Sequence, residues 1–324
     1  HAREVAIQRA KMVGASVVLG SATPSVDSYY KALKGEYRLF ELNERAGNAV
    51  YPKIYIEDLR EELKAGNYSI FSRKLDELMR DRLEKKEQIM LFLNRRGFAG
   101  FVSCRQCGEV VGCPHCSVAL KPHMAGDRVS YLMCHYCGYK MPMPDKCPEC
   151  GSPYISSFGI GTEQVEQMVK KRFSAAKVLR MDADTTTGKN AHQDILKKYS
   201  GGDADILIGT QMIVKGHDFA NVTLVGILAA DLSLNVGDYL AAEKTFQLTT
   251  QACGRAGRAD KPGEVVIQTY QPEHYSIVCA ARNDYKSFYE QEILIREMLQ
   301  YPPISNILGV LVLSENESSA DNLA

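Results

Sequence analysis

The stretch Asp205-Ile-Leu-Ile-Gly-Thr-Gln-Met-Ile-Val-Lys-Gly-His-Asp-Phe-Ala-Asn-Val-Thr-Leu-Val-Gly-Ile-Leu-Ala229 decides the fold. Two apolar runs, Asp205–Ile208 and Val222–Ala229, flank a polar segment with glycines. Runs this short, rich in Ile, Leu and Val, read as strands. Outward from them the pattern repeats. Strand-like runs fall at Lys53–Ile56, Ile89–Leu93, Lys177–Met181 and Glu264–Thr269. Helical patterns cover Ser72–Lys86, Gly161–Phe173, Asn190–Tyr199, Asp238–Gly254 and Asp284–Leu299. Near the start, Ser16–Gly20 reads as a buried strand, followed by the turn Ser21-Ala-Thr-Pro-Ser25 and a helix to about Lys34. Tyr301-Pro302-Pro303 breaks the last helix, and Leu308–Leu313 reads as a short strand opening a further unit. Strands alternating with helices imply an α/β fold, a parallel sheet with helices on both faces. Functional loops are then expected at the carboxyl ends of the strands.

The chain has 324 residues, 39 basic and 39 acidic, so its formal charge is zero. That balance excludes a basic, histone-like DNA coat and leaves nucleic-acid contact to a local patch. At about 100–200 residues per domain, two or three domains are expected. The richest apolar run, Val222–Ala230, has nine residues, well short of the ~18 a membrane span needs. The chain opens His1-Ala2-Arg3-Glu4, without a signal peptide or an initiator Met, and is expected to be a cytoplasmic piece of something longer.

Eight of the ten cysteines form four C-x-x-C pairs, 104/107, 113/116, 134/137 and 147/150. Two such turns supply the four thiolates of a closed, structural Zn²⁺ site, so eight suit two sites. Cys116 and Cys134 are separated by 17 residues, within zinc-ribbon spacing. Cys113, Cys116, Cys134 and Cys137 are therefore expected to hold an inner zinc, and Cys104, Cys107, Cys147 and Cys150 an outer one. A sequential pairing competes, but only five residues separate Cys107 from Cys113. Disulfides are disfavoured without a secretory signal. His115, His123 and His135 read as polar loop residues. Phe101–Ser157 carries five Lys/Arg and four Asp/Glu. Eight thiolates and two Zn²⁺ take it to about −3, a poor electrostatic clamp for DNA by itself.

Three loops carry chemistry. Ile208-Gly-Thr-Gln-Met-Ile-Val-Lys-Gly-His-Asp-Phe219 offers a hydroxyl, an amide, a cation and glycines, a set suited to sugar-phosphate contacts. Gln251-Ala-Cys-Gly-Arg-Ala-Gly-Arg258 ends a helix with two guanidiniums three residues apart, a fork suited to a phosphoryl group. Ser21-Ala-Thr-Pro places two hydroxyls on a tight turn. Singly, each has a bland reading: a turn, a solvated basic loop, a helix N-cap with Pro in the first turn. In this order on one α/β chain, they resemble the later motifs of superfamily 2 helicases. With the eight-cysteine insertion, the chain resembles the PriA family, bacterial replication-restart helicases. Leu19-Gly-Ser-Ala-Thr-Pro-Ser25 is similar to motif III and Leu91-Phe-Leu-Asn-Arg-Arg-Gly97 to motif IV; the two later loops are similar to motifs V and VI. Gly161-Thr-Glu163 and Leu179-Arg-Met-Asp182 are similar to family segments after the insertion.

The resemblance implies a RecA-like lobe 2. Residues 1–25 would end lobe 1, 26–100 and 158–282 would form lobe 2, 101–157 the zinc-binding insertion, and 283–324 the start of a truncated C-terminal domain. It implies ATP and Mg²⁺ in the intact protein, with Arg255 and Arg258 as arginine fingers and Gly216, Asp218 and Gln251 at the nucleotide. Thr210, Gln211, Lys215, Asn94, Arg95 and Arg96 would contact DNA, and Ser21 and Thr23 would couple nucleotide state to lobe closure. It further implies a monomer translocating 3′→5′ on forked or single-stranded DNA, partnered by primosome proteins and single-stranded DNA-binding protein, with no membrane. The family usually has Pro-Asp-Phe-Arg before motif VI, where this chain has Gly237-Asp-Tyr-Leu240. Arg is also common in the family where Gln164, Ala183 and Lys244 stand, so no role passes to those positions. No G-x-x-x-x-G-K-[ST] and no D-E-x-H occurs in these residues, so the chain alone is expected to be inactive. Two rivals remain from the sequence: a zinc-ribbon docking module, and another superfamily 2 translocase of RecG-like type.

Overall fold

The computed structural model describes residues 2–42, 51–93, 100–116, 118–125, 128–158, 161–188, 190–213, 219–235, 237–257 and 261–308. The chain divides into two compact units, His1–Glu41 with Ile293–Ala324, and Leu42–Glu292.

The smaller unit opens with α1 (Ala2–Val13) and α2 (Val26–Leu33). Ser25 caps α2, its hydroxyl accepting the Ser28 N–H at 3.2 Å. The Arg3 guanidinium donates to Ser25 Oγ at 2.5 Å, Ser28 Oγ at 2.6 Å and Asp27 at 3.0 Å, tying α1 to that cap. The strand expected at Ser16–Gly20 does not form. These residues are unpaired backbone among the described residues, and Val18 is 92% exposed. An apolar run becomes a strand only beside another strand that completes its hydrogen bonds. The helix α1, at residues given no helical reading, precedes it instead.

The larger unit follows with β1 (Lys53–Asp58), α3 (Leu59–Lys64), α4 (Arg73–Glu84), β2 (Gln88–Leu93), β3 (Phe101–Cys104), β4 (Lys121–Ala125), β5 (Arg128–Met133), β6 (Lys140–Pro142) and β7 (Ile155–Phe158). It continues with α5 (Thr162–Arg172), β8 (Val178–Met181), α6 (Ala191–Ser200), β9 (Ile206–Gly209), β10 (Val222–Leu228), a 3₁₀ turn at Ala230–Ser233, α7 (Ala241–Cys253), β11 (Glu264–Thr269) and α8 (Tyr275–Arg282). A last helix, α9, covers Tyr285–Leu299. Six strands form one sheet in the order β1-β11-β10-β2-β9-β8, every pair parallel.

Side chains alternate faces along each strand, so both faces are buried. From β2, Met90 and Phe92 join one core with Leu196 of α6, Leu248 of α7 and Ile277 of α8. Ile89, Leu91 and Leu93 join the other, with Leu75 and Met79 of α4 and Val165 of α5. Gly226 interrupts β10 because Leu75 and Leu91 fill its space: a Cβ there would lie 2.8 Å from Leu91 Cδ2 and 2.9 Å from Leu75 Cδ1. Local capping sets the helix starts. Ser72 Oγ accepts the Leu75 N–H at 3.2 Å to begin α4, and Asp58 accepts the Arg60 N–H at 2.8 Å to begin α3.

The cysteine-rich segment interrupts this unit between β2 and α5. Its ends, β3 and β7, pair antiparallel from Phe101↔Phe158 to Cys104↔Ile155. The chain thus leaves and re-enters the sheet domain at one place, which lets an insertion sit without disturbing the host. Within it, β4, β5 and β6 form a three-stranded antiparallel sheet. Among the described residues, no helix is long and apolar enough to cross a membrane.

Candidate functional site

The eight clustered thiols gather into two groups, Cys104/Cys107/Cys147/Cys150 and Cys113/Cys116/Cys134/Cys137, with the sulfurs of each group within 4.8 Å of one another. One turn geometry, repeated four times, does this. The N–H of the first Cys donates to the carbonyl five residues on: Cys104 to Glu109, Cys113 to Val118, Cys134 to Tyr139 and Cys147 to Ser152, each at 2.8 Å. Three turns close on a glycine in the left-handed region, Gly108 (φ +83°), Gly138 (+73°) and Gly151 (+71°).

A tetrahedral zinc with Zn–S near 2.3 Å needs sulfurs about 3.8 Å apart. Cys104 and Cys150 are 3.6 Å apart, Cys107 and Cys147 3.7 Å, and Cys113 and Cys137 3.5 Å. Both sets therefore fit structural zinc, with four thiolates and no open position for chemistry. Backbone donors prepare one thiolate in each set. The Cys137 and Tyr136 N–H groups bring Cys134 down to about 7, against burial. At Cys104, donors on Cys107 and Gln106 outweigh burial and lower it too. Cys116, sharing a hydrogen bond with Cys137, is pushed up to about 12. Metal binding here must displace protons from the remaining thiols. The three histidines of the module lie outside both sets. His123 stacks on Tyr131, and its Nε2 is 3.1 Å from His135 Nε2.

The module rests on the carboxyl edge of the sheet. Gly108 abuts Tyr270, where a Cβ would lie 3.2 Å from both the Tyr270 Cβ and its carbonyl oxygen. Arg105 Nη2 reaches the carbonyl of Tyr68 at 3.3 Å. Phe101 packs with Ala229, Leu232 and Tyr270, beside Leu59, Val110 and Ala119. On the inner side, Tyr136 Oη donates to the Gly237 carbonyl at 3.4 Å, and a Cβ on Gly237 would come 3.1 Å from Val118 Cγ1.

The motif loops distribute over both edges of the sheet, not one. Thr210 and Gln211, half-buried, follow the carboxyl end of β9. β9 and β10 are parallel, so the segment joining them runs from that edge to the amino edge. The helix α7 returns against the strands, carries the half-buried Gln251 in its last turn, and delivers Arg255 to the same amino edge. Gly257 N–H donates to the carbonyl of Val222, the first residue of β10, at 3.1 Å. Lys261 Nζ donates to Asn221 Oδ1 at 3.1 Å. Thr210 thus lies at a carboxyl end, where functional loops were expected, whereas the stretch after α7 lies at the amino edge. A loop that ends a returning helix lies at the opposite edge.

Gly257 (φ +68°) is pressed on Gly263: a Cβ on Gly257 would lie 2.4 Å from Gly263 N, and one on Gly263 2.5 Å from the Ala256 carbonyl carbon. In the smaller unit, Thr23 is buried and donates its N–H to Ser21 Oγ at 3.1 Å. Asn94, Arg95, Arg96, Lys215, Gly216, Asp218 and Arg258 lie outside the described residues.

A family model for the helicase conserved C-terminal domain matches residues 155–260, and one for the PriA DNA helicase Cys-rich region (CRR) domain matches 113–142. Replication restart protein PriA of Bacillus subtilis (strain 168) is 50% identical over 320 residues, 99% of this chain and 39% of that protein. Its namesake in Synechocystis is 44% identical over 99% of this chain and 39% of that protein. The one in Chlamydia pneumoniae is 41% identical over 97% and 42%. Over the span it covers, the chain belongs to the PriA family. It spans about two fifths of the length of these relatives. The PriA Cys-rich model covers the inner set of thiols alone; the outer set is drawn together by β3 and β7. The cysteine pairs named in advance both groups of thiols that the structure gathers. The docking residues Tyr270, Arg105 and Gly237 carried no such signal, since each acts through a partner distant in sequence.

Proposed function

We propose that this chain is the second motor lobe of an ATP-dependent DNA helicase acting in replication restart, with its zinc module attached. The carrying observation is the link between β9 and β10. It joins a hydroxyl and amide at one edge of the sheet to the arginine loop at the other, on a chain of PriA-family sequence. In this reading Thr210, Gln211 and Lys215, with Asn94, Arg95 and Arg96 after the neighbouring strand β2, hold the phosphates of a DNA strand. Gly216, Asp218 and Gln251 face the nucleotide. Arg255 and Arg258 meet the γ-phosphate, whose charge is spread over its oxygens in the transition state. A change at the nucleotide then pulls on a loop that also touches DNA, and Ser21 and Thr23 pass it to lobe closure. Repeated closing moves the intact protein 3′→5′ along one strand of a fork. Primosome proteins and single-stranded DNA-binding protein are its partners, in the bacterial cytoplasm.

The other half of the nucleotide site, the phosphate cradle and the Mg²⁺ carboxylate, comes from sequence outside these residues, so the chain alone turns over no ATP. The test is ATP hydrolysis by this chain with and without single-stranded DNA. Absence of turnover is expected. DNA-stimulated turnover would mean that a phosphate-binding loop lies within it and would overturn the half-site reading.

A further inference from the structure

Asp182, directly after β8, is buried, and its carboxylate joins segments that are separate in sequence. One oxygen accepts the hydroxyl of Thr162, 20 residues away at the start of α5, at 2.5 Å and lies 3.4 Å from Arg180 Nε. The other accepts the N–H groups of Asp184 and Thr185, both at 3.0 Å. The Asp182 carbonyl accepts the Thr186 hydroxyl at 2.6 Å. The preceding residue, Met181, accepts the Thr210 N–H at 3.4 Å, and Thr186 Oγ1 lies 3.8 Å from Met212 Sδ. An ordinary Asx turn accounts for the bonds to Asp184 and Thr185. It does not account for the Thr162 hydroxyl, and the turn it closes is the one whose Thr186 lies against Met212 of the loop after β9. Burial opposes ionisation of Asp182, yet the Thr162 hydroxyl and Thr185 N–H keep its carboxyl below the ordinary range.

We propose that Asp182 is a positioning residue for DNA binding: by locking the loop after β8 against the loop after β9, it sets where Thr210 and Gln211 meet the sugar-phosphate backbone. This rests on the reading of Thr210 and Gln211 as DNA contacts. Asp182 itself touches no phosphate, because its charge would repel one. Thr162 acts one step further back, holding the carboxylate in its rotamer.

The experiment compares Thr162→Val, Thr162→Ser and Asp182→Asn in the full-length protein. A single-stranded oligonucleotide is titrated across a salt series, and the thermal midpoint is recorded for each variant. Thr162→Val and Asp182→Asn are expected to weaken binding about tenfold, the scale of one displaced contact. The dependence of log K on log salt should stay as in wild type, because a neutral hydroxyl or amide contact displaces no counterion. Thr162→Ser keeps the hydroxyl and should bind as wild type does. A merely structural role would lower the thermal midpoint and leave the affinity well below that midpoint untouched. Unchanged affinity, or a loss at Thr162→Val that Thr162→Ser fails to restore, would overturn the proposal. A wild-type protein that binds no oligonucleotide would overturn the reading of Thr210, and this inference with it.

Discussion

Gly257 and Gly263 lie back to back at the foot of the arginine loop, and neither has room for a side chain. Gly257→Ala would add strain at φ +68° to a backbone clash. It should cost about 2 kcal/mol or more, read as a lower urea midpoint at unchanged m-value. The same bare contact explains why the G-R-A-G-R pattern was legible as a loop but not as a closed one, since Gly263 belongs to the next strand's approach. His274 offers a second residue-scale test. Its Nδ1 accepts the Ser276 N–H at 3.2 Å and caps α8, and burial lowers its pKa to about 4. Between pH 6.5 and 4 the unfolded chain binds more protons here than the folded one, so stability should fall as pH drops through that window. The loss is up to about 3 kcal/mol and levels off below pH 4. His274→Asn keeps a capping acceptor, and its urea midpoint should lack this component of the slope. Asp182 was quoted in the sequence without a role, because its partner Thr162 lies 20 residues away and no periodicity links them.

Among the elements, the central strands were legible because both their faces are buried, which leaves dense apolar runs in β2, β9, β10 and β11. Ser16–Gly20 has the same composition and forms no strand, since composition records burial and not the neighbour that a strand requires. The short helices α3 and α8 were not anticipated; each begins at a local cap, Asp58 or His274, and is too brief for a helical period to register. Leu75 shows what α4 contributes. It is fully buried against Gly226 of β10, and Leu75→Ala should destabilise by about 3 kcal/mol in urea unfolding. The four cysteine turns behave as two elements. With zinc loaded, Cys113→Ser or Cys147→Ser should each lower the metal content from two ions per chain to one, as measured by chelator colorimetry on denatured protein. A single substitution that releases both ions would mean the two sets are not independent. The outer set packs Gly108 on Tyr270, which follows β11. Its loss should therefore lower the urea midpoint of the sheet domain more than loss of the inner set, whose contact with Gly237 is at a loop.

Across the larger unit, one parallel sheet separates two kinds of chemistry. The carboxyl edge carries Thr210, the Asp182 junction and the docked zinc module; the amino edge carries Gly257 and the arginine loop. On the reading proposed above, the link between β9 and β10 would carry a phosphate event at one edge to the other. The order of motifs was readable in the sequence, whereas their division between edges was not, because it depends on which way α7 runs. The most direct test is ATP turnover and single-stranded DNA binding by the full-length protein carrying Arg258→Ala. The account predicts turnover reduced by about 10³ or more with DNA affinity unchanged. Near-normal turnover in that variant would contradict it.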